Sequence, residues 1–328
     1  MKALVLGADG PVIRDLPIPV PAPEQVLVRV HACGLNRADI GMAAGMQHGA
    51  AGGAGTVLGN EWAGEVMAVG DKVTTHRVGD RVMCTGSGGF AEYAVTDYGR
   101  ATPISSVSMS YEQAATLPIA LHTMHDAVVT HGMLAKGGSI LIQGASSGVG
   151  LVAMQIAKLR GAALVIGSST DAGRRAKLAE FGADLSINTG DPGWVQQVLE
   201  ATGGRGVDLI IDQVAGPMAN QNMAATRVLG RIVNVGRLGG MYGEFDFDLH
   251  ALRRISYVGV TFRTRSTQEV RDIVNRATAD LGEAVAKGDI RLPIDRMFPL
   301  ADAVAALAHM KANQHFGKLV LALIPTSP

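Results

Sequence analysis

The sequence predicts an α/β protein in two parts, a β-rich N-terminal portion followed by a doubly wound parallel sheet. The chain has 328 residues, which exceeds the usual length of one domain. Its first third contains many short apolar runs separated by turn residues, a pattern typical of strands. After about residue 120, strand and helix patterns alternate, which favours a parallel sheet covered by helices.

The composition narrows the class of protein. The 29 basic and 29 acidic residues balance, so nothing indicates a nucleic-acid or anionic-membrane partner. The two cysteines, Cys33 and Cys84, are too few for a disulfide scaffold or a four-cysteine zinc site. The first ten residues do not resemble a signal peptide, and no apolar stretch approaches the ~20 residues of a membrane span. We therefore expect a cytoplasmic protein.

Strands in the first third are predicted wherever an apolar run is bounded by Gly, Pro or Asp. They are Leu4–Leu6, Gln25–Val30, Gly64–Val69, Arg81–Cys84 and Ala91–Val95.

The central third predicts alternating strands and helices. Strands are expected at Ser139–Gly144, Leu164–Gly167, Leu185–Ile187, Val207–Asp212, Arg231–Val235 and Ser256–Thr261. Helices are expected after the first of these strands and at Ala172–Phe181, Trp194–Glu200 and Pro217–Leu229, with Gly182 as a C-cap of the second.

The last segment predicts helices at Thr267–Lys287 and Ala301–Lys311 and a strand at Lys318–Leu323. We expect it to return to the first domain. The predicted division is residues 1–122 with 262–328 for a catalytic and substrate domain, and 123–261 for a nucleotide-binding domain. Ligand sites are favoured between two such domains.

A glycine-rich turn joins the strand beginning at Ser139 to the following helix. In this geometry, backbone N–H groups and the helix dipole favour a pyrophosphate. The turn is an imperfect match to G-x-G-x-x-G, because Ala145 and Ser147 occupy the first two glycine positions. A strand–turn–helix without a nucleotide is the alternative. The expected phosphate contacts are Ser146, Ser147, Gly148, Val149 and Gly150.

The end of the second strand predicts NADPH rather than NADH. NAD sites place Asp or Glu there to bind the ribose 2′-OH, whereas this strand ends in Ser168 and further small hydroxyls. Asp171 comes later and is expected to cap the next helix. Arg174 and Arg175 follow as candidate partners of a 2′-phosphate, with ordinary exposed arginines as the alternative.

Several ordered motifs together resemble the medium-chain dehydrogenase/reductase family, over essentially the whole chain. Their order and spacing carry the resemblance more than any one of them. The resemblance implies a GroES-like β-rich catalytic domain plus a doubly wound Rossmann domain. The motifs are GLNRAD (34–39), GNEWAGEV (59–66), VGDRV (78–82), GGFAEY (88–93), AATLP (114–118), GASSGVG (144–150) and GKLV (317–320).

The resemblance places this chain in the zinc-independent branch, which is similar to quinone oxidoreductases and enoyl reductases. The zinc enzymes of the family have Cys and His where this sequence has Asn36 and Asn60. Neutral amides are poor Zn²⁺ ligands beside thiolate and imidazole. The implied reaction is hydride transfer from NADPH to a quinone or to the C=C bond of an α,β-unsaturated carbonyl, without metal.

The family's functional residues carry over to matching positions of this sequence. Asn36 and Asp39 match polar residues near the nicotinamide, with loop stabilisation as the alternative. The expected cofactor contacts are Thr123, Ser168, Arg174, Val260, Phe262 and Lys318. For Val260 and Phe262, packing in the core is an equally good explanation.

The expected substrate site departs from the family. Gly41 and Gln47 stand where some quinone oxidoreductases have Tyr, and Thr189 replaces a Tyr that flanks the 2′-phosphate in some relatives. No general acid is evident, and Tyr242 and water are the candidates. Substrate-lining candidates, each with a structural alternative, are Gln47, His48 and Trp62.

Three functional hypotheses remain open. The first is an NADPH-dependent quinone or enone reductase. The second is a reductase of the same chemistry that tailors one specialised metabolite. The third is a non-catalytic NADPH-binding or sensor protein. The expected partners are a small-molecule substrate and a second copy of the chain, joined through the edge strand Ser256–Thr261.

Overall fold

The computed structural model describes residues 1–49, 51–106 and 108–323. The chain forms two compact units, one made of Met1–Ile119 with Phe262–Pro328 and the other of Ala120–Thr261. The sequence predicted domain boundaries between residues 122 and 123 and between residues 261 and 262. Within the described residues, no helix is long and apolar enough to cross a membrane.

The N-terminal segment of the first unit consists mainly of strands. Its elements are β1 (Lys2–Gly7), β2 (Gly10–Asp15), β3 (Gln25–Gly34), α1 (Arg37–Ala43), β4 (Glu61–Val69), β5 (Arg81–Thr85), β6 (Tyr93–Asp97), β7 (Ala101–Pro103) and α2 (Tyr111–Ala114).

The second unit alternates strands and helices. Its elements are α3 (Pro118–His125, which begins in the first unit), a π-helical turn (Asp126–His131), β8 (Ser139–Ile142), α4 (Gly148–Leu159), β9 (Leu164–Ser168), α5 (Ala172–Ala176), β10 (Leu185–Ile187), α6 (Trp194–Ala201), β11 (Val207–Asp212), α7 (Ala219–Ala225), β12 (Thr226–Asn234), α8 (Phe247–Arg253) and β13 (Ser256–Gly259).

The C-terminal segment completes the first unit. Its elements are α9 (Thr267–Lys287), β14 (Ile294–Pro299), α10 (Ala303–Lys311) and β15 (Lys318–Ala322).

The main sheet of the first unit brings the two ends of the chain together. Its strands run in the order β14-β15-β3-β4-β5-β7, and β6 also pairs with β3. β3 is antiparallel to both β4 and β15, so that Gly34 lies opposite Glu61 on one side and Val320 on the other. The core behind this sheet includes Trp62 and Phe90, which are fully buried. The last strand is therefore an integral part of the N-terminal sheet.

The sheet of the second unit is parallel throughout, in the order β10-β9-β8-β11-β12-β13. The strand order reverses between β8 and β11, and ligands bind at such switch points beyond the carboxyl ends of the strands. The predicted fold class, a β-rich part and a doubly wound part, is confirmed.

Some predicted elements differ from the structure. The predicted helix Pro217–Leu229 is wrong at its end, because α7 stops at Ala225 and β12 begins at Thr226. The strand begins there because Thr226 pairs with Val207 of β11, a tertiary contact that overrides helical spacing. Elements that the sequence analysis missed are β2, β7, β14, α1, α2, α3 and α8.

Candidate functional site

The glycine-rich turn of the second unit leads from β8 into α4. Ser147 is the N-cap of α4, and its Oγ accepts a hydrogen bond from Gly150 N at 3.1 Å. The backbone N–H groups of Gly148 and Val149 lie in the first turn, where helix geometry provides no intrahelical acceptor. The helix start therefore offers N–H donors and a positive dipole end to an anion.

Gly150 is required where the first turn of α4 approaches Ala145 of the glycine-rich turn. A Cβ at this position would lie 2.7 Å from both Cα and the carbonyl oxygen of Ala145. Any larger residue would push the helix start away from the turn. The turn, the N-cap serine and this close approach together fit a dinucleotide pyrophosphate.

A network of buried polar side chains connects the glycine-rich turn to the sheet. Ser147 Oγ donates to Gln213 Oε1 at 2.9 Å, and Gln213 Nε2 donates to Gln143 O at 3.0 Å. Ser168 Oγ donates to Gln143 Oε1 at 2.7 Å and accepts from Gly144 N at 3.0 Å. The expectation that Ser168 contacts the 2′-phosphate is corrected by its burial, since the residue is 1% exposed and its hydroxyl bonds inside the sheet. Sequence reasoning missed both glutamines, although each follows a buried strand.

Serine hydroxyl groups and arginine side chains lie at and after the carboxyl end of β9. Asp171 caps α5 through Oδ1, which accepts from Arg174 N at 2.8 Å, so the predicted helix cap is confirmed. Arg175 Nη1 donates to Ser169 O at 2.8 Å, and the hydroxyls of Ser146 and Ser169 lie 3.1 Å apart. Arg174, in the first turn of α5, is half-buried. Two arginines thus follow this strand end, and the nearest carboxylate after it is already bonded as a helix cap.

The remaining cofactor candidates are dispersed over the two units. Thr123 is half-buried on α3. Val260 is buried, and its N–H donates to Asn234 O of β12 at 3.0 Å. Phe262 is half-buried and begins the second segment of the first unit.

A buried ion pair forms the centre of a polar cluster in the first unit. Lys318 Nζ forms an ion pair with Glu61 Oε1, and both side chains are nearly inaccessible to solvent. The same ammonium donates to Leu35 O at 3.1 Å and to Asn36 Oδ1 at 3.0 Å. Lys318 was expected to reach the cofactor, but these three acceptors in the first unit use all its N–H donors.

The ion pair depends on Gly34. A Cβ at this residue would lie 2.5 Å from Glu61 Oε1 and 2.3 Å from Ala115 O. The second carboxylate oxygen, Glu61 Oε2, accepts from Ile119 N at 2.8 Å. Both oxygens of the buried carboxylate are thus hydrogen-bonded, as a buried charge requires.

Asp39 is the second buried carboxyl of this cluster. It accepts hydrogen bonds from Asn36 N at 2.6 Å and from Asn60 Nδ2 at 2.5 Å. Burial raises the pKa of Asp39 to about 7, although these hydrogen bonds and the Lys318 charge act in the opposite direction. The structure therefore brings Asn36, Asp39 and Lys318 together, as neighbours around Glu61.

Trp62 does not line a substrate surface. It is fully buried in the core of the first unit, so this prediction is wrong. Gln47 is exposed, and His48 is half-buried, with its N–H bonded to Ala51 O at 2.7 Å. Burial and the nearby Arg263 charge lower the pKa of His48.

Tyr242 belongs to a separate cleft of the second unit. Its side chain is 92% exposed, and it lines a cleft of about 230 Å³ with Asn234, Arg237 and Tyr257. Burial and the neighbouring Asp212 raise the pKa of Tyr257 to about 12. Sequence analysis did not predict this grouping, because its members are separated along the chain.

The described residues contain no group of three or more His, Cys, Asp or Glu side chains that could hold a metal ion. Asn36 and Asn60 stand where the zinc enzymes of the family have Cys and His. Here, Asn36 Oδ1 accepts a hydrogen bond from Lys318, and Asn60 Nδ2 donates one to Asp39.

The chain matches two family models. Residues 22–106 match "Alcohol dehydrogenase GroES-like domain", and residues 148–279 match "Zinc-binding dehydrogenase". The GroES-like assignment of the β-rich unit is thereby confirmed.

Individual proteins are also similar to this chain. A mycocerosic acid synthase-like polyketide synthase of Mycolicibacterium smegmatis is 30% identical over 92% of this chain, which spans only 14% of that relative. A quinone oxidoreductase of Rattus norvegicus is 28% identical over 98% of both chains. The structure of a Pseudomonas syringae quinone oxidoreductase aligns with a TM-score of 0.87 and 26% identity, covering 98% of this chain and 99% of that one.

The raised pKa of Asp39 predicts a specific pH dependence of stability. A carboxyl whose pKa rises on folding stabilises the fold fully below its unfolded pKa of about 4 and loses that contribution as the pH rises to about 7. The free energy of unfolding of the parent should therefore fall over this window relative to Asp39→Asn, by at most about 1.4 kcal/mol per pH unit.

Urea denaturation of both proteins at several pH values measures this difference. Asp9→Asn, at an exposed turn, controls for the loss of one carboxylate. Parallel curves for the parent and Asp39→Asn would show that Asp39 stays ionised throughout.

Proposed function

This chain is an oxidoreductase of the medium-chain dehydrogenase/reductase family, quinone oxidoreductase-like, and from that premise we propose that it transfers hydride from NADPH to a quinone or an α,β-unsaturated carbonyl without zinc. The observation that carries the proposal is the α4 N-terminus, with its N-cap Ser147 and the close approach at Gly150. The full-length likeness to the rat quinone oxidoreductase supports the same class of reaction.

The choice of NADPH rests on the end of β9. The carboxylate that follows this strand in the chain, Asp171, is already bonded to Arg174 N as a helix cap, so it is not placed to accept from a ribose 2′-OH. Arg174 and Arg175 would instead hold a 2′-phosphate, and Arg175 is already tied to this strand end through the carbonyl oxygen of Ser169.

Bound NADPH would supply a hydride to an electron-poor carbon of the substrate. In the first unit, Asn36 would donate a hydrogen bond to a ligand oxygen, and Asp39 holds Asn36 through its backbone N–H. Tyr242 stays a proposed proton donor because its hydroxyl is exposed, with water as the alternative source.

The chemistry of the donor set supports a metal-free reaction. Asn36 and Asn60 are neutral amides already bonded within the cluster, and the Lys318 ammonium lies among them. A divalent cation beside this ammonium would be repelled in a site of low dielectric constant. A quinone or enone accepts hydride without a Lewis acid, because its conjugated carbonyl disperses the negative charge.

The second candidate is a reductase that tailors one specialised metabolite by the same chemistry. The match to a polyketide synthase favours it, since nearly the whole chain aligns with a small part of that enzyme. The third hypothesis, a non-catalytic NADPH-binding protein, rests on the absence of tyrosine at Gly41 and Gln47. A single panel of substrates, described next, separates all three hypotheses.

The decisive experiment follows NADPH absorbance with quinones, small enones and acyl-thioester enoyl substrates, with and without a chelator. We expect turnover with at least one class of acceptor and no loss on chelation. NADPH binding without turnover of any acceptor would favour the non-catalytic hypothesis, and activity that disappears with the chelator would remove the metal-free proposal.

Replacing Arg174 should change the choice of cofactor. Arg174→Ala should weaken NADPH binding about 10-fold, the effect of losing one charge-assisted hydrogen bond, and leave NADH binding unchanged. Nicotinamide fluorescence titration measures both affinities, and Arg276→Ala, on the exposed face of α9, is the matched control. Equal losses for the two cofactors would contradict a 2′-phosphate contact.

We also propose a homodimer formed through β13. Among the described strands, β13 stands at one end of its sheet, so its outer backbone groups are available for pairing. Val260 N–H bonds to β12, and because backbone groups alternate in direction, the N–H of Gly259 points away from it.

Gly259→Pro removes that outward N–H and should shift the protein to monomers in equilibrium sedimentation at micromolar concentration. Gly259→Ala should remain dimeric, since a Cβ there meets no atom within 4 Å. A monomeric parent would contradict the proposal.

A further inference from the structure

The ammonium of Lys318 is immobilised by its surroundings. It has three N–H donors, and the structure gives it three acceptors: Glu61 Oε1, Leu35 O and Asn36 Oδ1. Lys318 is 5% exposed and Glu61 is fully buried, so water does not compete for these contacts. Glu61 itself is held by Ile119 N–H.

This immobilised cation determines the orientation of the Asn36 amide. The amide oxygen faces the ammonium at 3.0 Å, and a flipped amide would place its NH₂ group against a positive charge. The amide nitrogen therefore lies on the opposite side. Its one hydrogen bond within the described residues is a long one, to Gly34 O at 3.4 Å.

The half-buried Asn36 thus presents an N–H donor, and not an acceptor, on the side of its amide that faces away from the ammonium. Such a donor complements an oxygen that gains negative charge. On hydride addition to a quinone or enone, that oxygen is the conjugated carbonyl oxygen. The carboxamide oxygen of a nicotinamide offers the same acceptor chemistry.

We propose that Lys318, held by Glu61, is a positioning residue that fixes the Asn36 amide so that its Nδ2–H donates to a ligand carbonyl oxygen. The inference rests on the proposed function. It replaces the expectation that Lys318 itself reaches the cofactor, because an ammonium with three protein acceptors has no further proton to donate.

Asn36→Asp tests the polarity of this contact at constant size. The carboxylate keeps an acceptor for Lys318, so this contact should survive in a folded variant, but the outward N–H becomes an acceptor. We expect kcat/KM to fall about 100-fold, the usual effect of losing such a donor. Unchanged kcat/KM and unchanged NADPH affinity in a folded Asn36→Asp variant would overturn the inference.

Two readouts identify the source of the oxygen. If the substrate carbonyl accepts the hydrogen bond, NADPH affinity measured by fluorescence stays within about threefold while kcat falls, since the lost donor acts mainly in the transition state. If the nicotinamide carboxamide accepts it, the dissociation constant for NADPH rises in the absence of substrate.

The role of Lys318 is tested by removing both charges together. Glu61→Gln with Lys318→Met removes the ion pair as a unit, so that neither partner is left without the other, and frees the Asn36 amide to rotate. We expect kcat to fall about 10-fold, with the larger effect on kcat than on KM. The matched control, Glu283→Gln with Lys287→Met, removes an exposed ion pair of α9 and should leave kcat and KM unchanged.

The outcomes separate the two proposals. A parent protein that transfers no hydride overturns the proposed function and this inference with it. An active parent whose folded Glu61→Gln/Lys318→Met variant retains kcat and KM overturns the positioning role alone. If that double variant does not fold, Asn36→Asp and its NADPH affinity decide the question.

Discussion

The buried ion pair between Lys318 and Glu61 is the interaction on which the first unit depends. It joins β15 to β4 across β3, where only Gly34 leaves room for the carboxylate. Removing one partner of a buried pair costs about 3–5 kcal/mol, because the other charge is left without compensation. The same contact orients Asn36, so the stability of this sheet and the polarity of the candidate site have one physical origin.

Two buried carboxyls lie in this cluster, and their surroundings give them different roles. Glu61 faces an ammonium and a backbone N–H, so it serves as the structural partner of Lys318. Asp39 accepts two N–H donors but lacks a direct cation, and burial raises its pKa towards neutrality. The presence or absence of a directly bonded cation thus distinguishes the surroundings of the two carboxyls.

In the second unit, a buried hydrogen-bond network holds the glycine-rich turn in a comparable way. Gln143 and Gln213 directly follow adjacent buried strands and, with Ser147 and Ser168, connect the turn to the sheet. A buried network of this kind is stabilising only when its members are paired, so it fixes the turn in one conformation. A preorganised turn binds an anion without a further ordering cost.

The sequence alone predicted the alternation of strands and helices, the turn at Gly150 and the candidate polar residues of the GLNRAD and GNEWAGEV motifs, because all of these depend on local spacing. It did not determine that Ser168 and Trp62 are buried, or where α7 gives way to β12. The contact of Lys318 with Glu61, 257 positions away in the chain, became evident from the folded chain. Sheet pairing creates that contact, and no local pattern encodes which distant strand becomes a neighbour.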